Sequence, residues 1–126
     1  MKKAIPLLLI IVGLINFIPV AGILSGAAIQ SAYGVELTSP DLVILMRHRA
    51  LLFGLLGGFV LYSVWVPAYQ KVAASLAALS MLGFLCLMAL EGGYNTLLER
   101  IAIVDGVGIG CLLLCVFLKS FQAQIK

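Results

Sequence analysis

Apolar residues are gathered into four long stretches, which are separated by short polar links. The stretches cover residues 4–29, 50–66, 72–90 and 101–118, and an apolar piece at 42–46 precedes the second. A transmembrane helix needs about 20 apolar residues to cross a hydrocarbon core about 30 Å thick. Apolar and polar residues do not alternate with the period of two that is typical of a membrane barrel. The pattern therefore predicts an all-α integral membrane protein with four spanning helices.

We expect the helices at about residues 4–29, 40–66, 71–90 and 97–119, within one domain that covers residues 1–126. The links between them are short, and short links make consecutive helices antiparallel neighbours. The predicted architecture is therefore a four-helix bundle with short loops.

Two of the predicted helices carry start signals. Ser39, Pro40 and Asp41 supply a capping hydroxyl, a proline at the first helical position and an acid in the first turn. Thr96 and Glu99 have the spacing of a capping box. The sequence therefore predicts that the second helix begins at Pro40 and that Thr96 caps the fourth.

The first apolar stretch permits a second interpretation. Lys2 and Lys3 before an apolar run are also typical of a signal peptide. The run is longer than a typical signal core, so we expect an uncleaved helix. Asn16 and Pro19 within it predict a kink or a hydrogen bond to a neighbouring helix.

Composition supports the membrane interpretation. Of the 126 residues, 63% are hydrophobic and 10% are charged, whereas an ordinary soluble domain has roughly 25% charged residues. This composition excludes a soluble globular domain and a disordered chain. The net charge of +3 is too small to indicate a nucleic-acid partner.

The few charges are distributed unevenly between the two ends of the predicted bundle. With four spans, both termini lie on one side, and that side carries every lysine: Lys2, Lys3, Lys71, Lys119 and Lys126. The acids, the arginines and the only histidine lie towards the other side. The positive-inside rule places the lysine side and both termini in the cytoplasm.

The outer half of the bundle has a polar centre. At about 1.5 Å per residue, Arg49 lies about 13 Å along a helix that starts at Pro40, and Asp105 about 12 Å along one that starts at Leu97. A lone charge in lipid costs at least about 2.5 kcal/mol. We therefore predict that Asp105 pairs with Arg49 or Arg47.

Other polar residues on this side belong to the same candidate site. The candidate binding residues are Arg47, His48, Arg49, Glu91, Tyr94, Asn95, Arg100 and Asp105. Two simpler interpretations of the Arg-His-Arg run stay open: snorkelling of cationic side chains at the interface, and an ion-pair network that only fixes helix packing. A single histidine excludes a multi-histidine metal site, and we expect neither a metal nor a cofactor.

Glycines at a spacing of four residues predict close helix contacts. Gly54 and Gly58 lie on the second helix, and Gly106 and Gly110 on the fourth. Small residues at this spacing let membrane helices approach closely. We expect these faces to pack inside the bundle or at a homo-oligomer contact.

Two segments resemble a family of small bacterial inner-membrane proteins with four helices. Residues 45–57 and 92–95, together with Asp105, carry this resemblance. A broader and more distant similarity to DoxX-like proteins is carried by Arg49, Gly54, Gly57, Arg100, Asp105 and Gly106. The resemblance implies a four-helix fold and a location in the bacterial inner membrane.

Members of this family often carry the automatic name phosphopantetheine adenylyltransferase. We do not expect that activity, because its His-x-Gly-His signature needs two histidines and His48 is the only one in the chain. A glycine-rich phosphate loop after a strand is also missing from the sequence.

The leading hypothesis is a non-enzymatic membrane protein. Its outer cluster would bind an amphiphile, such as a lipid headgroup or a quinone-like molecule, or a partner membrane protein, because arginines suit an anionic group. One alternative is a structural or accessory subunit whose charges only clamp helices together. The other is a small membrane enzyme in which His48 and outer carboxylates act as acid or base; it requires a cleft that gathers His48, Glu91 or Glu99 with the arginines.

Overall fold

The computed structural model describes residues 3–124, and these residues form helices joined by short links. The α-helices are α1 (Ala4–Phe17), α2 (Gly26–Tyr33), α3 (Pro40–Trp65), α4 (Gln70–Glu91) and α5 (Thr96–Gln124). Two 3₁₀ segments, Ile18–Ile23 and Pro67–Tyr69, precede α2 and α4. The described residues contain no strand, so the predicted all-α class is confirmed.

Four helical segments are long and apolar enough to cross a membrane. They are Ala4–Ile23, Pro40–Trp65, Pro67–Glu91 and Thr96–Gln124, with 20 to 29 residues each. Their outward faces carry large apolar side chains, and Leu55, Leu79 and Phe117 are 63%, 70% and 64% exposed. A monomeric soluble protein rarely exposes apolar surface this extensively, so these faces are of the kind that lipid covers.

The predicted first helix, residues 4–29, is wrong beyond Ile23. Regular α-helix ends at Phe17, and a 3₁₀ segment that contains Pro19 continues it to Ile23. The Ser25 hydroxyl then accepts a hydrogen bond from the Ala28 backbone N–H at 3.1 Å and starts α2. The irregularity predicted at Pro19 therefore takes the form of a 3₁₀ segment.

The start of α3 agrees with its predicted signals. Ser39 is the N-cap, and its hydroxyl accepts a hydrogen bond from the Leu42 N–H at 3.3 Å. Pro40 and Asp41 occupy the first turn. The predicted bounds of the second and third spans agree with α3 and α4 to within one residue, while α5 continues to Gln124, five residues beyond the predicted end.

The core of the bundle lies between α1, α3, α4 and α5. Its buried members are Ile5, Leu9, Val12, Val60, Ala73, Ala77, Met81, Leu112 and Cys115. Asn16 is buried beside them, where its amide donates to the Val12 carbonyl at 2.9 Å and lies 3.9 Å from the Met81 sulfur. The hydrogen bond predicted between helices is therefore a weak one to sulfur.

Glycines bring α1 and its 3₁₀ extension into close contact with α3. A Cβ atom at Gly57 would overlap the Phe17 backbone, and one at Gly54 would overlap the Val20 side chain. The close approach predicted at Gly54 is thus confirmed, and it lies inside the bundle. In contrast, a Cβ at Gly106 or Gly110 would meet nothing within 4 Å.

Candidate functional site

A cavity of about 540 Å³ lies at the end of the bundle far from Lys3 and Gln124. We call it the arginine cavity. Its walls come from the end of α1, the 3₁₀ segment, α2, and the first halves of α3 and α5. They are formed by Ile15, Asn16, Ile18, Pro19, Ala21, Gly22, Ala28, Ile29, Ala32, Tyr33, Arg49, Phe53, Leu97, Arg100, Ile101, Val104 and Asp105. Most of the wall is apolar, and the charged groups in it are two arginines and one aspartate.

Arg49 is half-buried against aromatic rings. Its guanidinium lies over the rings of Tyr33, Phe53 and Phe84, at 5.0, 4.9 and 5.9 Å from their centroids. The faces of the rings attract the cation, and such a contact with a ring uses none of the N–H hydrogen bonds of the guanidinium. Within residues 3–124 these N–H groups have no hydrogen-bond acceptor, so Arg49 presents its donors to the cavity.

Asp105 lies in the same wall, half-buried on α5. Arg49 is close enough to attract its carboxylate electrostatically, but no salt bridge with a nitrogen–oxygen distance of 4.0 Å or less is formed within residues 3–124. The predicted pairing of Asp105 with Arg49 or Arg47 is therefore not a direct contact in this part of the chain. The physical reason is that the aromatic rings hold Arg49, while Arg47 has another partner.

The side chain of Arg47 points away from the cavity. Its Nε donates a hydrogen bond of 2.8 Å to the Ile23 carbonyl, at the end of the 3₁₀ segment, where the helical ladder stops. Residues two apart on a helix face about 200° away from each other, so Arg47 and Arg49 have different surroundings. Arg47 fastens the break after α1 to α3.

Asn95 joins two helices, α2 and α5, that contribute to the wall of the arginine cavity. Its Oδ1 accepts a hydrogen bond from the Leu98 N–H at 2.9 Å, and its Nδ2 donates to the carbonyls of Tyr33 and Gly34 at 2.9 and 3.2 Å. Asn95 therefore starts α5 and holds the end of α2 against it. The predicted cap at Thr96 is wrong, because the amide of Asn95 can serve both helices at once and Thr96 is already the first helical residue.

The cavity brings together only some of the predicted site residues. Arg49, Arg100 and Asp105 line it, and Asn95 supports its wall. The remaining candidates, Arg47, His48, Glu91 and Tyr94, are exposed and lie outside the lining, as does Glu99. The cleft that the enzyme alternative requires, with His48 and outer carboxylates beside the arginines, is thus not formed by these side chains.

Sequence reasoning missed Tyr33 and Phe84, which hold Arg49, and did not assign Asn16 to the site. Asn16 carries a detectable signal, because it is a polar residue within an otherwise apolar run. Tyr33 and Phe84 carry none, because they are far from Arg49 in the sequence and meet it only after the helices pack.

A second cavity, of about 460 Å³, lies near the other end of the bundle, and we call it the lysine cavity. Its polar lining residues are Gln70, Lys71, Ser75 and Lys119. Lys119 Nζ donates a hydrogen bond of 2.9 Å to Oε1 of the buried Gln70. The sequence predicted only that these lysines orient the chain in the membrane, and it gave no indication of this contact.

Within the described residues, no group of three or more histidine, cysteine, aspartate or glutamate side chains is placed to hold a metal ion. No family model, curated protein or solved structure matches the chain. The resemblance to small bacterial inner-membrane proteins therefore stays a prediction. The site is an apolar cavity between long apolar helices, with an arginine beside aromatic rings, a second arginine and an aspartate in its wall.

Proposed function

We propose that this chain is a multi-pass protein of the bacterial inner membrane that binds an amphiphile in the arginine cavity. The headgroup contacts Arg49 and Arg100, and the tail lies along the apolar wall. The observation that carries the proposal is the presence, in one cavity, of a mostly apolar wall and an arginine with unused hydrogen-bond donors.

The size and chemistry of the cavity support this proposal. Its volume of about 540 Å³ falls within the range of roughly 300 to 1,000 Å³ that is typical of small-molecule sites. An arginine with free donors binds phosphate or carboxylate with two parallel hydrogen bonds. Because the rings of Tyr33 and Phe53 pack against the Arg49 guanidinium, we expect less rotamer freedom to be lost when a ligand binds.

The proposed orientation places the arginine cavity in the outer half of the membrane. Lys71 and Lys119 line the cavity at the opposite end, where the positive-inside rule favours cytoplasm. Trp65 and Tyr69 near that end are 74% and 45% exposed, as expected of aromatic residues at a membrane interface. Both termini are then cytoplasmic.

Native mass spectrometry of the protein purified in mild detergent tests amphiphile binding. We expect wild type to retain a bound amphiphile and Arg49→Gln to lose it by at least about tenfold, because a charge-assisted hydrogen bond contributes about 1.5 to 3 kcal/mol. Lys71→Gln is the control, since it removes a cationic side chain that lines the other cavity and lies outside the arginine cavity. Arg100→Gln, at an exposed position, gives a second reading if Arg49→Gln does not fold.

Equal retention by wild type, Arg49→Gln and Arg100→Gln would refute the proposal. The melting temperature of Arg49→Gln is also compared with that of wild type, once for the protein as purified and once after delipidation. If the substitution lowers it by the same amount in both forms, the charges act as a structural clamp. This outcome would favour the structural or accessory subunit.

A further inference from the structure

We infer that the headgroup bound in the arginine cavity is zwitterionic, with a phosphate on Arg49 and Arg100 and a primary ammonium on Asp105. The ligand class is thus a phosphoethanolamine lipid. This inference rests on the proposed amphiphile binding and specifies its chemistry.

The charges of the cavity wall favour a headgroup that carries both signs. Arg49, Arg100 and Asp105 line the same space. A purely anionic headgroup would place negative charge near the Asp105 carboxylate, and a purely cationic one would face two guanidinium groups. A headgroup with a phosphate at one end and an ammonium at the other complements all three groups.

The wall leaves room for a ligand between opposite charges. Arg49 and Asp105 line the same cavity, yet they do not approach to the 4.0 Å of a salt bridge within the described structure. The cavity that they border has a volume of about 540 Å³, which is typical of a small-molecule site. A phosphate and an amine joined by a two-carbon linker would present one charge of each sign to this wall.

The type of amine follows from what surrounds Arg49. Quaternary ammonium groups, such as choline, are usually recognised by cages of aromatic rings. Here the rings of Tyr33, Phe53 and Phe84 already face the guanidinium of Arg49. The group left for the ligand's cation is the Asp105 carboxylate, which accepts N–H hydrogen bonds. A primary ammonium can donate such bonds and a quaternary one cannot.

The test uses delipidated protein in detergent, titrated with three lipids that have identical acyl chains and are quantified by native mass spectrometry. The lipids are phosphatidylethanolamine, phosphatidylcholine and phosphatidylglycerol. We expect wild type to bind phosphatidylethanolamine about tenfold more tightly than the other two, which corresponds to about 1.4 kcal/mol. Soluble phosphoethanolamine at the same concentration should fail to compete, because it lacks the tail that the apolar wall binds; effective competition would refute a lipid as the ligand.

Asp105→Asn separates the headgroup inference from the proposed function. This variant should lose the preference for phosphatidylethanolamine over phosphatidylglycerol, while total lipid binding persists through the arginines. Asp41→Asn is the matched control, because Asp41 is an exposed acid in the first turn of α3 and lies outside the cavity. It should keep the wild-type preference.

Each contrary outcome has a defined meaning. If Asp105→Asn keeps the preference, or if wild type binds phosphatidylglycerol or phosphatidylcholine as tightly as phosphatidylethanolamine, the inference is overturned while amphiphile binding stands. If wild type binds none of the three lipids, the proposed function fails as well. The comparison of lipids on wild type decides the inference even if Asp105→Asn does not fold.

Discussion

The two ends of the bundle carry cavities of similar size, but the charged side chains in the two cavities have different kinds of partners. In the lysine cavity, Lys119 donates to Gln70 at 2.9 Å, so the protein itself satisfies part of the charge. In the arginine cavity, the guanidinium of Arg49 packs against aromatic rings, and the carboxylate of Asp105 forms no hydrogen bond or salt bridge within residues 3–124. A charged group whose hydrogen bonds are made within the protein stabilises the fold. A charged group whose hydrogen-bonding atoms are free can bind a ligand.

The position of each charge along its helix explains part of this difference. Lys119 lies five residues before Gln124 at the end of α5, and its long side chain can reach towards water at the membrane surface. Asp105 lies nine residues after Thr96 on the same helix, and a short acid cannot extend as far. Lys119 is therefore satisfied by Gln70 and placed to reach water, while Asp105 has neither within the described residues.

The largest expected effect concerns the close contact between α1 and α3, which lies outside the linings of both cavities. Gly57→Ala should lower the free energy of unfolding by about 2 to 3 kcal/mol, because the new Cβ would overlap the Phe17 backbone where α1 meets α3. Gly110→Ala is the control, since its Cβ would meet nothing within 4 Å. Denaturant titration in micelles measures both variants, and an equal loss in the two would contradict the described packing.

The next effect should be confined to the arginine end. Asn95→Ala removes two hydrogen bonds that join the end of α2 to α5 and the one that caps α5, and we expect a loss of about 2 kcal/mol in the free energy of unfolding. Hydrogen exchange should accelerate in the amides of Gly26–Tyr33 and stay unchanged near Gln70. Thr96→Ala, which leaves the Asn95 cap intact, should alter neither region. Faster exchange near Gln70 in Asn95→Ala would show that the two ends are not independent.

A double-mutant cycle sharpens the description of the lysine end. Lys119→Met and Gln70→Met should show a coupling energy of about 1 kcal/mol, because each variant removes one partner of the same hydrogen bond. The control cycle pairs Gln70→Met with Lys71→Met, and its effects should add. If the first cycle were also additive, the Lys119 charge would not be satisfied by Gln70.

The smallest effect should be that of Tyr33→Phe. The Arg49 guanidinium lies over the ring of Tyr33 rather than against its hydroxyl. Removing the hydroxyl should therefore change the melting temperature and lipid retention by less than the experimental error of each measurement. Tyr33→Leu, which removes the ring, should cost about 0.5 to 1 kcal/mol. A large loss in Tyr33→Phe would mean that the hydroxyl, and not the ring, holds the site.

Much of the fold could be predicted, because the lengths of the apolar stretches determine where the long helices form. The start of α3 at Pro40 and the extents of the second and third spans follow from local signals. The break after Ile23 does not, because Ser25 can serve either as a small residue within a helix or as a cap. Asn95 and Thr96 are both residues that cap helices, and the choice between them depends on the carbonyl of Tyr33, a contact that the sequence cannot reveal.

The candidate site could be predicted only in part. Charges inside apolar stretches identified Arg49, Arg100 and Asp105, which do line one cavity. Which of these side chains form pairs could not be predicted. The position of a residue along a helix axis does not say in which direction around the axis its side chain points. Tyr33 and Phe84 approach Arg49 from two different helices, and aromatic residues in apolar runs carry no signal for such a contact.

The 3₁₀ segment at Ile18–Ile23 also affects how far the first span reaches. A 3₁₀ helix rises about 2.0 Å per residue, compared with about 1.5 Å in an α-helix. The 14 residues of α1 and the six of the 3₁₀ segment therefore extend about 33 Å, roughly 3 Å more than an unbroken α-helix of the same length. A thinner bilayer would not need this extra reach, so the melting temperature of the protein in bilayers should depend on the acyl-chain length of the surrounding lipid.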